Sequence, residues 1–148
     1  MVKRIKAHVK NNGGDMYIQM LICITCLLGL LTFAFQVTTT LTQKIWIDDQ
    51  LNDITRIIAV TGDVDDAAIE DLTEKIIEKM GGQIVITPKN NEWFNESEKL
   101  VQLGTVVKVQ YFNDEFPVLQ MGDFVVNIDV DLSRQGISEV YFKPTDYS

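Results

Sequence analysis

The spacing of apolar residues along the chain changes character three times. Residues 16–37, Met-Tyr-Ile-Gln-Met-Leu-Ile-Cys-Ile-Thr-Cys-Leu-Leu-Gly-Leu-Leu-Thr-Phe-Ala-Phe-Gln-Val, run for 22 positions without a charge. About 20 such residues in a helix match the hydrocarbon core of a bilayer. After Thr38-Thr39-Thr40 the apolar positions thin out to Leu41, Ile47, Leu51, Ile54 and Ile58. The later spacings of 4, 3 and 4 put these residues on one helical face, with Asp48, Asp49, Asn52, Asp53 and Arg56 elsewhere. Nothing in the sequence stops the helix where the apolar run ends. One helix from about Asp15 to Val60, on the order of 70 Å long at 1.5 Å per residue, is expected, capped at Gly62.

A second helix is expected to begin within Asp63-Val64-Asp65-Asp66, whose carboxylates suit the free amides of a helix start. Ile69, Leu72, Ile76, Ile77 and Met80 supply its apolar stripe, and Gly81-Gly82 stops it. From Gln83 the period falls to two. Strands are expected at Ile84-Val85-Ile86 and, past a polar loop from Lys89 to Lys99, at Thr105 to Phe112. The third run alternates most clearly, with Phe124, Val126, Ile128, Val130 and Leu132 facing one way and Val125, Asn127, Asp129, Asp131 and Ser133 the other. A turn at Arg134-Gln135-Gly136 would return the chain into a fourth strand, Ile137 to Phe142. The expected class is α+β: a long N-terminal helix, a short second helix and an antiparallel sheet of about four strands. The divisions are a leader at 1–14, a transmembrane helix at 15–37, its amphipathic extension at 38–62 and an extracytoplasmic α+β domain at 63–148.

Charge sharpens this layout. The first 14 residues hold Lys3, Arg4, Lys6 and Lys10 and no acid, whereas residues 38–148 hold 20 Asp/Glu against 9 Lys/Arg. A basic flank is retained in the cytoplasm, so the acidic domain is expected outside, in a single-pass topology. An ordinary secretory peptide has an apolar core of about 7–15 residues closed by an A-x-A-like site, and this run is longer and lacks one. The acidic domain argues against nucleic acid as a partner, because phosphates call for basic residues.

The chemistry available to a catalyst is sparse. The single histidine, His8, lies in the leader, so a triad or zinc site in the outer domain has no imidazole. Neither an enzyme, a cofactor nor a small-molecule substrate is expected. Cys23 and Cys26, both inside the apolar run, leave the outer domain without a disulfide. In hydrocarbon their thiols suit packing or crosslinking between neighbours better than metal or redox chemistry. Asp63, Asp65, Asp71 and Glu74 match positions 1, 3, 9 and 12 of a calcium loop, but Ala68 stands where glycine is required and the segment is helical in pattern. Asp129 and Asp131 share a strand face and could hold a cation with Asp123, but a solvated face is the favoured reading. Asn95-Glu96-Ser97 fits a glycosylation acceptor, a very common pattern. Trp93-Phe94, in the polar loop, reads either as an exposed contact or as a pair folded back onto the sheet.

The order of basic leader, Asn11-Asn12-Gly13-Gly14, apolar helix, amphipathic extension and small sheet resembles the type IV pilin architecture. It is most similar to the Tad/Flp branch, in particular to TadE-like minor pilins and small pilin-like proteins of Gram-positive bacteria. The segment Gln50 to Gly62 is similar in layout to the stretch that follows the membrane helix in TadE-like proteins. The resemblance covers roughly residues 10–65 and does not extend to the sheet. It implies a prepilin peptidase cutting after Gly14, so that Asp15 becomes the N-terminus. It also implies assembly of like or related subunits into a pilus or an envelope secretion or conjugation apparatus. The family places glutamate at the fifth mature residue, where its carboxylate meets a neighbour's terminal amine. Here that position is Gln19, whose amide can accept a hydrogen bond from an ammonium but cannot neutralise it. Read without the resemblance, Gly14 is a joint before a signal anchor, and the chain is a membrane-tethered binding domain that does not polymerise.

Overall fold

The computed structural model describes residues 2–121 and 123–142, with the side chains of 2–13, 120, 121 and 124 outside the description. The leader's Met1 and residues 143–148 of the outer domain lie outside the described residues, as do the side chains of Lys3, Arg4, Lys6, His8 and Lys10. Helix α1 spans Val2–Thr61 and so begins within the leader, ahead of the expected Asp15. Helix α2 spans Ala67–Met80. Three strands follow: β1 at Gln83–Pro88, β2 at Val106–Met121 and β3 at Phe124–Ile137. By its contacts the chain divides into two units at Thr39/Thr40. In the first unit α1 stands alone. The second unit holds the remainder of α1, α2 and the sheet.

The end of α1 and the start of α2 are settled by local chemistry. Gly62 takes a left-handed φ of 68° and its amide donates to the Ile58 carbonyl at 2.8 Å, which closes α1. A side chain there would strike the Phe142 ring, 2.7 Å from where its Cβ would sit. The Asp66 carboxylate caps α2 by accepting from the Ala68 amide at 2.8 Å. Because residues 67–80 are helical, the stretch from Asp63 to Glu74 cannot close as a calcium loop.

The sheet is antiparallel in the order β1-β2-β3 and has three strands, not about four. The expected turn at Arg134-Gln135-Gly136 is absent: these residues continue β3, paired with Val109, Lys108 and Val107. Arg134 is held by the Asp48 carboxylate of α1, with its Nε donating at 2.7 Å and its Nη2 forming a second, shorter contact. Gly136 lies so close to α1 that a Cβ would stand 2.3 Å from the Thr55 methyl. The glycine serves close approach of strand to helix, where its place in the sequence suggested a reversal. Beyond Ile137 the chain docks without a strand, through the Ser138 amide to the Thr105 carbonyl and the Glu139 amide to the Ala59 carbonyl.

The core is built from Ile47, Leu51, Ile54 and Ile58 of α1, Ile69 and Ile76 of α2, Val107, Val109, Tyr111 and Phe116 of β2, and Val130 of β3. Leu41 and Ile77, expected on the apolar faces of their helices, are exposed. Of the described apolar side chains on that face of β3, Val130 is buried and Leu132 partly so, while Val126 and Ile128 are 36% and 38% exposed. The reason is local. β1 pairs with β2 only as far as Phe112, and past Asn113 β3 is the one strand partner of β2, paired through two register shifts. Pro117, which lacks an amide hydrogen, is tolerated in β2 because this part of the strand is an edge.

Candidate processing and assembly site

The residues singled out for processing and assembly all lie on the first unit of α1. Gly14 is helical, and the space where its side chain would be is open, with nothing within 4 Å. The four residues Asn11 to Gly14 lower the helix propensity by about 3 kcal/mol relative to four alanines. The two glycines make this the weakest four-residue stretch of α1, ahead of Val37-Thr38-Thr39-Thr40. Asp15 and Gln19 are both exposed and stand one helical turn apart, on the same face. Cys23 and Cys26, free and exposed thiols, extend that face at spacings of 4 and 3. The structure therefore brings Asp15, Gln19 and the two cysteines onto one stripe, an alignment that the i, i+4 spacing makes visible in the sequence.

The rest of the run is apolar on all sides, with Leu21, Leu28, Leu30 and Phe35 more than half exposed. Its threonine hydroxyls, and those of Thr38 and Thr39 just past it, bond within the helix. Thr25 donates to the Leu21 carbonyl at 2.9 Å, Thr32 to Leu28 at 2.9 Å, Thr38 to Ala34 at 2.9 Å and Thr39 to Phe35 at 3.0 Å. A hydroxyl bonded to its own helix can enter hydrocarbon without an unpaired donor. Among the described residues, this is one helix long and apolar enough to cross a membrane.

The second unit offers binding surface but little reactive chemistry. One hollow of about 450 Å3 is lined by Val64, Asp65, Ile69, Glu70, Thr73 and Ile86. Another, of about 470 Å3, lies between α1 and α2, against Asp53, Arg56, Ile57, Val60, Thr61 and Leu72. No group of three or more His, Cys, Asp or Glu positioned to hold a metal occurs among the described residues. Trp93 packs against the core with the Lys99 ammonium 4.9 Å from its ring centre, and Phe94 stacks on Phe142 at 5.5 Å. The aromatic pair thus folds back onto the domain. The Lys79 ammonium of α2 stands over the Trp46 ring of α1 at 4.2 Å.

Two features went unnoticed in the sequence. The Asp48–Arg134 pair joins residues 86 positions apart and left no local signal. The partly exposed outer part of the β2–β3 hairpin did leave one, since nine of the thirteen residues from Phe116 to Ile128 are apolar. No family model, no curated protein and no solved structure matches this chain, so its function is argued from its own residues and geometry.

Proposed function

We propose that the chain is a pilin-like, TadE-like single-pass membrane subunit. It is inserted with the N-terminus in the cytoplasm, clipped after Gly14 by a prepilin peptidase and assembled with like or related subunits into a filament or an envelope secretion or conjugation apparatus. The observation that carries this reading is that one helix, α1, supplies both the apolar segment and, through Ile47, Leu51, Ile54 and Ile58, the innermost face of the sheet domain's core. A simple anchor has no need to be continuous with the core it tethers. The low helix propensity at Asn11 to Gly14 supports cleavage there, because a peptidase must unwind the chain it cuts. The work of such a subunit is packing, and it needs neither a cofactor nor a reactive site.

Gln19 favours a second reading. A neutral amide at the position where the resemblance calls for a carboxylate suits a signal-anchored extracytoplasmic domain that binds a partner and does not polymerise. Intact mass of the membrane-extracted protein, produced with and without a prepilin peptidase, separates the two. A chain beginning at Asp15 only when the peptidase is present supports the first reading. A chain that keeps Lys3 to Gly14 in both samples overturns it.

A further inference from the structure

The loop between β1 and β2 holds a polar motif that neither processing nor assembly uses. Of the eight asparagines in the chain, only Asn95 is followed two positions later by Ser or Thr. The triplet Asn95-Glu96-Ser97 is too common to carry weight by itself. Its setting in the structure is more particular.

Asn95 and Leu100 pair as a short antiparallel bridge, with the Leu100 amide donating to the Asn95 carbonyl at 3.0 Å. The residues between them reverse the chain, with Lys99 at a left-handed φ of 54°. On the domain side of the bridge the loop is fastened. Trp93 packs against the core, Phe94 stacks on Phe142, and the Lys99 carbonyl accepts from the Val64 amide at 3.1 Å. Glu96, Ser97 and Glu98 at the tip are exposed, and Asn95 is half-buried beside them. A fastened stem thus carries an open tip.

The Asn95 carboxamide is held in one orientation. It accepts from the Ser97 amide at 3.0 Å and from the Glu98 amide at 3.3 Å. Both groups can only donate, so the side-chain atom facing them is the oxygen, and Nδ2 lies at the opposite corner. No partner for that nitrogen occurs among the described residues. Asn113 shows the contrast, since its Nδ2 donates to the Met80 carbonyl at 2.9 Å and to the Tyr111 hydroxyl at 3.1 Å. The two hydrogen bonds on the Asn95 oxygen also draw electron density from the amide and make its N–H more acidic. An amide nitrogen is a poor nucleophile until it loses that proton.

We propose that Asn95 is a site of N-linked glycosylation, a modification that belongs on surface loops outside the cytoplasm. The donor is an oligosaccharide carried on a polyprenyl diphosphate, and a membrane-bound transferase moves it. Nδ2 bonds to C1 of the first sugar as the bond from C1 to the diphosphate oxygen breaks. The electron pair leaves with the diphosphate, and the amide proton passes to a base of the transferase. The Ser97 side chain, exposed beside Asn95, is what the transferase reads. The inference rests on the sheet domain lying outside the cytoplasm and needs neither cleavage nor assembly.

The test uses the full-length protein taken from membranes of the cells that make it. Trypsin releases the peptide from Asn90 to Lys99, whose mass should exceed that of the bare sequence by an oligosaccharide, and fragmentation should place it on Asn95. Asn95→Gln and Ser97→Ala should lose the added mass, and Ser97→Thr should keep or raise the modified fraction. Ser97→Ala retains the backbone amide that holds the Asn95 oxygen, so its loss reads recognition and not a collapsed loop. A bare peptide from the unaltered chain overturns the site, as does added mass that survives Asn95→Gln. Glu98→Cys in the Ser97→Ala background, treated in intact cells with a membrane-impermeant maleimide, reports where the loop lies. Labelling there, together with a bare peptide from the unaltered chain, overturns the site alone. A bare peptide without labelling overturns the outward placement of the domain along with it.

Discussion

At the scale of single residues, the side chains that matter most are the ones that set distances. Gly136 has no side chain because α1 occupies the space it would fill. Gly136→Ala is expected to cost about 1–3 kcal/mol, the usual range for an added methyl in a packed interior. Thr55→Ser removes the methyl it would strike and keeps the hydroxyl, which donates to the Leu51 carbonyl at 2.7 Å. The double variant should therefore recover part of the loss in thermal unfolding, and simple additivity would show that the contact is not the cause. Tyr111 is the buried group with the clearest pH signature. Burial raises its pKa above the ordinary 10.0, and the hydrogen bond from the Asn113 amide at 3.1 Å opposes the shift. A raised folded-state pKa contributes stability that is complete below the unfolded pKa and is lost as pH rises through the folded one. Unfolding followed from pH 9 upward should show a destabilisation that Tyr111→Phe diminishes. In the proposed assembly the Gln19 amide accepts from a neighbour's terminal ammonium. Gln19→Leu should then lower the sedimentable fraction of the mature protein and Gln19→Glu should keep or raise it, whereas equal behaviour of the two would remove Gln19 from the contact.

At the scale of elements, the helices were legible because each carries its own punctuation. Asp66 caps, Gly62 and Gly81 close, and the 3-4 spacing of Leu51, Ile54 and Ile58 names the buried face. The sheet was legible only where alternation coincides with a covering helix. Arg134-Gln135-Gly136 has the composition of a turn, and its actual role depends on Asp48 and Thr55, which are far away in sequence and invisible to any local pattern. Hydrogen exchange distinguishes the two arrangements: the amides of 134–136 that face β2 should be protected to the same degree as those of 130–132. The loop aromatics Trp93 and Phe94 were ambiguous for the same reason, since their partners Lys99 and Phe142 include one supplied from the other end of the domain. Of the candidate site, the stripe of Asp15, Gln19, Cys23 and Cys26 follows from spacing alone, while the exposed hairpin end required knowing that β1 stops pairing at Phe112.

At the scale of the whole molecule, the boundary between the two units falls inside a helix. Residues 40–61 belong energetically to the sheet. A chain of residues 40–148 should unfold cooperatively, whereas one of residues 62–148 should not fold. The second lacks Ile47, Leu51, Ile54 and Ile58, whose burial contributes on the order of 6–12 kcal/mol at about 1.5–3 kcal/mol each. That is comparable to the entire stability of a small domain, about 5–15 kcal/mol. Circular dichroism melts of the two chains check this directly. The two ties of β3 to α1, Arg134 on Asp48 and Gly136 against Thr55, are seven residues apart on the helix and two apart on the strand. They have a mechanical meaning. Tension applied along α1 would pass to β3 through two separate contacts, one ionic and one steric, so the helix cannot be drawn off the strand by breaking a single bond.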